Sequence, residues 1–126
     1  MDSVIHFELP AKDLKRASAF YGKAFGWQFN QYPNMDYWAI GTTMSDQQGR
    51  PTTPGSVNGG MGKKGGALKV PTVTIGVADI DATLKSVAKL GGKVVDKKRA
   101  VGDMGFTAYF SDTEGNVVGL WQNPAK

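Results

Sequence analysis

One structural pattern is written twice along this chain. His6 lies in an apolar run that comes seven residues before Asp13-Leu14 and a helical stretch. Thr72 opens a second such run seven residues before Asp79-Ile80 and another helical stretch. Each helical stretch closes on glycine, at Gly26 and at Gly91-Gly92, and several strand-like runs follow each. A period of this size signals a duplicated supersecondary unit, which constrains the fold more than any single motif does.

The first copy begins with an alternating strand over Val4 to Leu9, with Ile5, Phe7 and Leu9 on one face and His6 and Glu8 on the other. Pro10 ends it. The spacing predicts a helix from about Asp13 to Phe25, with Leu14, Ala17, Phe20, Tyr21, Ala24 and Phe25 on its apolar stripe. Asp13 is the expected N-cap, and Gly26 stands where a left-handed closing residue belongs. Strands are expected over Trp27 to Tyr32, Met35 to Gly41 and the glycine-rich Val57 to Gly62. Between the last two, Thr42 to Ser56 is polar and rich in Pro and Gly, a surface loop long enough to serve as a lid over a binding cleft. Lys63 to Lys69 links the copies.

In the second copy, Thr72 to Val77 reads as a strand with Val73, Ile75 and Val77 inward. Asp79 caps a helix carrying Ile80, Leu84, Val87 and Ala88 on its stripe. Lys93 to Asp96 and Phe106 to Ser111 are expected strands separated by the Lys97–Gly105 segment. The turn at Asp112 to Asn116 leads into a last strand, Val117 to Gln122. The fold class is therefore α+β: paired βαβββ modules forming a cleft. They make one domain over residues 1–126, with module one at about 1–64 and module two at about 70–126.

Composition narrows the function classes. Hydrophobic content of 40% suits a folded core at this length. The absence of cysteine removes disulfides, thiolate nucleophiles and zinc–sulfur sites, and fits a cytoplasmic protein. The N-terminal residues carry no signal-peptide pattern, and no apolar run approaches the roughly 20 residues that span a bilayer, so no membrane partner is expected. The net charge of +4 is spread thinly, with small clusters at Lys63-Lys64 and Lys97-Lys98-Arg99. Nucleic-acid binding needs a dense basic stripe or interleaved aromatics, and none is expected here.

Four segments carry a family resemblance: Ile5-His6-Phe7-Glu8-Leu9-Pro10, Ala19-Phe20-Tyr21-Gly22-Lys23-Ala24-Phe25-Gly26-Trp27, Val77-Ala78-Asp79-Ile80-Asp81, and Asp112 through Gln122. With them the chain resembles the vicinal oxygen chelate superfamily of glyoxalase I, bleomycin-resistance proteins and extradiol dioxygenases, and within it the small glyoxalase-like proteins of bacteria. The resemblance implies a pairing into homodimers and a small-molecule ligand. Metal-dependent members take one ligand from the first strand and one from the last strand of each module. His6 matches the first of these positions. Thr72 stands at the second, a poor metal ligand; the third falls at or beside Gly119, and the fourth near Gly59 to Met61, where no carboxylate occurs. One imidazole does not hold a divalent ion, so no metal site and no cofactor is expected.

Two roles remain open for the cleft: binding of a small molecule without metal, or lyase or isomerase chemistry using His6 and Glu8, with or without a weakly held divalent ion. His6 is either a general base beside Glu8 or a hydrogen-bonded strand residue. Tyr37, Trp38, Met61, Tyr109 and Trp121 are either lining for a planar ligand or ordinary core. Thr72 and Thr74, on the first strand of module two, complete the candidate ligand-binding set. The glycines at 59, 60 and 62 allow close approach by a ligand or another backbone.

Overall fold

The computed structural model describes residues 1–125. Its elements run β1 (Val4–Ala11), α1 (Leu14–Phe25), β2 (Gln28–Gln31), β3 (Tyr37–Gly41), β4 (Gly59–Lys63), β5 (Thr72–Gly76), α2 (Ile80–Lys89), β6 (Lys93–Val101), β7 (Gly105–Ser111) and β8 (Val117–Gln122). The expected βαβββ order thus occurs twice, in an α+β fold.

Two compact units divide the chain, one of His6–Pro71 and the other of Met1–Ile5 with Thr72–Lys126. The first five residues therefore pack with the second copy. The Gly76 amide donates to the Ser3 carbonyl at 3.0 Å, and a side chain at Gly76 would meet Ile5 Cδ1 at 2.9 Å.

In the unit of His6–Pro71, β2, β3 and β4 pair antiparallel, and β4 pairs parallel with β1. A parallel pair requires a crossover, which α1 with β2 and β3 supplies. Helix α1 starts at Asp13, whose carboxylate accepts from the Arg16 amide at 3.0 Å, and stops at Gly26 with φ 74°, a left-handed conformation that glycine adopts without steric cost. Its core is Ala11, Leu14, Ile40 and Met61, with Phe7, Leu9, Ala17, Tyr21, Trp27, Phe29 and Trp38 packed against them. Full burial of a side chain the size of Leu, Ile or Met supplies about 1.5–3 kcal/mol. Phe20 and Phe25 differ from expectation: both are exposed, at 62% and 63%. The stripe is narrower than their spacing implies, and Tyr21, half-buried and stacked on Trp27 at 5.1 Å, takes the core-facing place between them.

The unit holding Thr72–Lys126 repeats the pattern. Strand β5 pairs parallel with β8, and β8, β7 and β6 pair antiparallel. Asp79 caps α2 by accepting from the Ala82 amide at 3.1 Å, and the Gln122 side chain accepts from the Ile80 amide at 2.8 Å. Ile80, Leu84, Ala108 and Leu120 form the core, with Ile75, Val77, Phe106 and Phe110 against it. Val73, expected inward, is 45% exposed, whereas Thr72 and Thr74 are buried. Strand β6 runs on through most of the expected separator, because register shifts at Val94/Asp96 and Asp96/Arg99 let it keep pairing with β7.

Candidate functional site

Strand alternation decides what each face of the first unit's sheet presents. Phe7, Leu9, Phe29, Trp38, Ile40 and Met61 turn to the helix-covered core. The intervening residues, His6, Glu8, Gln28, Asn30, Tyr37 and Ala39, therefore belong to the opposite face. There the Tyr37 hydroxyl donates to Glu8 Oε2 at 2.7 Å and lies 3.1 Å from His6 Nε2. Since the hydroxyl proton is given to Glu8, the contact from His6 has its Nε2–H donating to the Tyr37 oxygen. That assigns the imidazole's lone pair to Nδ1.

Glycines make this arrangement possible. Strand β4 pairs Gly62 with Tyr37 and Gly60 with Ala39. A Cβ at Gly60 would run into the Tyr37 hydroxyl, and one at Gly62 would lie 3.3 Å from the Tyr37 ring. The close approach foreseen at this glycine run is thus made by a tyrosine of the same unit. Glu8 is buried at 7% exposure and Tyr37 is half-buried; the charge-assisted bond from Tyr37 compensates part of the cost of burying the Glu8 carboxylate. Burial pushes the His6 imidazole below its ordinary value of 6.5, against a smaller opposing pull from the Glu8 carboxylate. His6 is therefore neutral at pH 7.

A pocket of about 840 Å³ opens beside this network, within the same unit. His6, Gln28 and Asn30 line it from the strands and Tyr32 from just past the end of β2; Thr42, Thr43, Ser45 and Gln48 line it from the loop after β3. Asn58 shapes that loop. Its side-chain Oδ1 accepts from the Thr42 amide at 2.9 Å, and its side-chain Nδ2 donates to Ser45 Oγ at 2.8 Å and the Gly49 carbonyl at 3.3 Å. Asp46 accepts from the Gln48 and Arg50 amides, at 2.9 Å each. These bonds hold its carboxyl below the usual range, with the Arg50 amide the leading cause. The polar loop read as a lid is a wall of this pocket, tied down at both ends.

Of the candidate residues, His6 and Glu8 come together, joined by Tyr37, but only His6 lines the pocket. Trp38 and Met61, expected to bind ligand, sit on the other face: Met61 is 1% exposed in the core and Trp38 packs on it. Period-two alternation puts them there, because Met61 pairs with Trp38 in register. Thr72, Thr74, Tyr109 and Trp121 belong to the second unit. There Gly119 pairs with both Thr74 and Tyr109, and Trp121 Nε1 donates to Asn123 Oδ1 at 3.0 Å. Sequence reasoning missed Gln28, Asn30, Tyr32 and Asn58. Gln28 and Asn30 flank the core residue Phe29, so alternation alone was a sufficient signal for them.

A divalent ion of the kind used by metal-dependent superfamily members needs three or four protein donors at fixed distances. Among the described residues, no three of His, Asp and Glu come together as such a group. The His6 Nε2 and Glu8 Oε2 atoms both meet the Tyr37 hydroxyl instead. This donor set does not fit a metal.

Comparison with known proteins agrees with the architecture. Residues 3–120 match the Glyoxalase/Bleomycin resistance protein/Dioxygenase superfamily model, and the chain belongs to that superfamily. It is 32% identical over 124 residues to a glyoxylase-like domain-containing protein of Didymella fabae, covering 94% of this chain and 92% of the relative. It is 28% identical to the candidate glyoxylase CFP32 of Mycobacterium bovis, covering 91% of this chain but 43% of that longer protein. Methylmalonyl-CoA epimerase of Streptomyces coelicolor, solved with 2-nitronate-propionyl-CoA, shares the fold at a TM-score of 0.65 and 16% identity, with 97% of each chain covered.

Proposed function

We propose that this superfamily member is a small-molecule-binding protein that uses the pocket beside His6 without a coordinated metal. The observation that carries this reading is the pocket itself: about 840 Å³, falling within the range of small-molecule sites, with convergent polar groups on strands and on an anchored loop. The donor set around His6 supports the metal-free part. The test is a small-molecule screen by ligand-observed NMR on wild-type protein and Asn30→Ala. Ligands whose signal is lost in the variant support the reading; a screen whose hits all ignore Asn30→Ala overturns it.

A second reading has its own observation, the hydrogen-bonded chain Glu8–Tyr37–His6. A neutral imidazole with its Nε2–H anchored and Nδ1 bearing the lone pair is equipped to accept a proton, in the manner of a lyase or isomerase. Glu8 acts in that reading by positioning, through Tyr37. Glyoxalase and methylmalonyl-CoA epimerase assays on wild type and His6→Ala test it: turnover lost in the variant supports it, and no turnover by wild type counts against both of these reactions. Pairing into a homodimer is proposed on the superfamily likeness and is checked by light scattering. As to membranes, no helix among the described residues is long and apolar enough to cross one.

A further inference from the structure

Among the described residues, the pocket beside His6 contains no lysine, arginine, aspartate or glutamate. The chain as a whole carries a net charge of +4, so this neutrality is local. The one imidazole in the lining, His6, is held neutral by burial. Carboxylate and phosphate ligands are ordinarily met by Arg, Lys, or a helix N-terminus, since burying an anion without a countercharge costs far more than burying a neutral polar group. Gln28 and Asn30 lie on exposed strand positions of the pocket face, and among the described residues their side chains have no hydrogen-bond partner. Each amide offers two donors and one carbonyl acceptor. Thr43 and Ser45 add hydroxyls that also donate and accept. Tyr32 supplies a flat apolar surface, backed by Tyr37 with ring centroids 6.1 Å apart and planes at 19°.

We infer that the pocket takes an uncharged, hydroxyl-rich small molecule, a sugar or polyol, with Gln28 and Asn30 bonding its hydroxyls and Tyr32 packing against its carbon face. Groups that both give and accept hydrogen bonds are matched by hydroxyls, which do the same. An anionic ligand finds no cationic side chain in the lining, and Arg50, which reaches the lining residue Gln48 at 3.4 Å, is already paired with Asp46 at 3.2 Å. This inference rests on the proposal that the pocket binds small molecules, and it specifies the chemical class.

The experiment is an amide-detected NMR titration of the full chain with matched pairs: glucose against glucose 6-phosphate and glucuronate, and sorbitol against gluconate, alongside a panel of neutral mono- and disaccharides. The expected result is saturable shifts of the Gln28 and Asn30 side-chain amides with a neutral member, weakened about tenfold in Asn30→Ala, the effect of one lost neutral hydrogen bond. The charged partner of each pair is expected to bind at least tenfold more weakly. Tighter binding by a charged partner, still sensitive to Asn30→Ala, overturns the ligand class while the pocket stands. Neutral ligands that shift neither amide overturn the class as well. If no compound in this panel or in the general screen moves the pocket resonances, the pocket proposal fails and the class fails with it.

Discussion

Tyr37→Phe removes one oxygen and leaves the ring. Strand β4 offers the ring the same trough over Gly60 and Gly62, so packing is preserved and the change isolates the hydroxyl. What is lost is a 2.7 Å bond to a carboxylate that is 7% exposed, together with the acceptor for the His6 Nε2–H. A hydrogen bond to a charged group contributes about 1.5–3 kcal/mol, and the neutral one from His6 about 1 kcal/mol, partly recovered by water because His6 is only half-buried. The expected destabilisation is about 2–3 kcal/mol. Urea unfolding followed by tryptophan fluorescence reads this as a lower midpoint at unchanged slope. The imidazole gives an independent signal: with its oxygen partner gone, His6 is no longer held as the Nε2–H tautomer. A loss below about 0.5 kcal/mol, with the tautomer unchanged, would refute the reasoning that this hydroxyl joins Glu8 to His6.

Other perturbations probe the remaining parts. Gly60→Ala drives a methyl into the Tyr37 hydroxyl and should cost about 1–3 kcal/mol by unfolding, whereas Gly41→Ala, whose added Cβ would sit at an ordinary 3.8 Å from the Gln28 carbonyl, should change stability by less than about 0.5 kcal/mol. Asn58→Ala removes the acceptor of the Thr42 amide and the donor to Ser45; about 1–2 kcal/mol is expected, with faster hydrogen exchange at Thr42. Stability should also depend on pH through His6. Its folded value lies below the ordinary 6.5, so below that pH the unfolded chain binds a proton that the folded chain resists. The contribution is full above about 6.5 and is lost as pH falls through the folded value; His6→Gln should flatten that limb in a pH series of urea midpoints. Asp46 and Asp112 are held below 3.8 by hydrogen bonds, so they act in a more acidic window.

Much of the fold is legible in the sequence because its punctuation is local. Asp13 and Asp79 cap their helices through their own side chains, and Gly26 closes one with a positive φ. The candidate site is less legible because it is built across strands. Tyr37 stands 29 residues from Glu8 and 31 from His6, and only the parallel pairing of β1 with β4 brings the glycine trough between them. Trp38 and Met61 are the conspicuous large side chains, yet alternation turns both toward the core. The less conspicuous Gln28 and Asn30 face the pocket. Val73 shows the limit of polarity as a guide: it is exposed while Thr72 and Thr74 are buried, because strand geometry fixes which residues share a face and hydrophobicity alone does not choose the face.

His6 is the chain's one histidine, which makes a single spectrum decisive for the claim that it is a hydrogen-bonded pocket residue and not a metal ligand. The measurement is a long-range proton–nitrogen correlation of the imidazole at pH 7, recorded before and after equimolar zinc or nickel. A neutral ring protonated at Nε2, with nitrogen shifts unmoved by the metal, is the predicted result. A ring protonated at Nδ1, with Nε2 shifting or broadening at one equivalent of metal, would contradict the account at its centre.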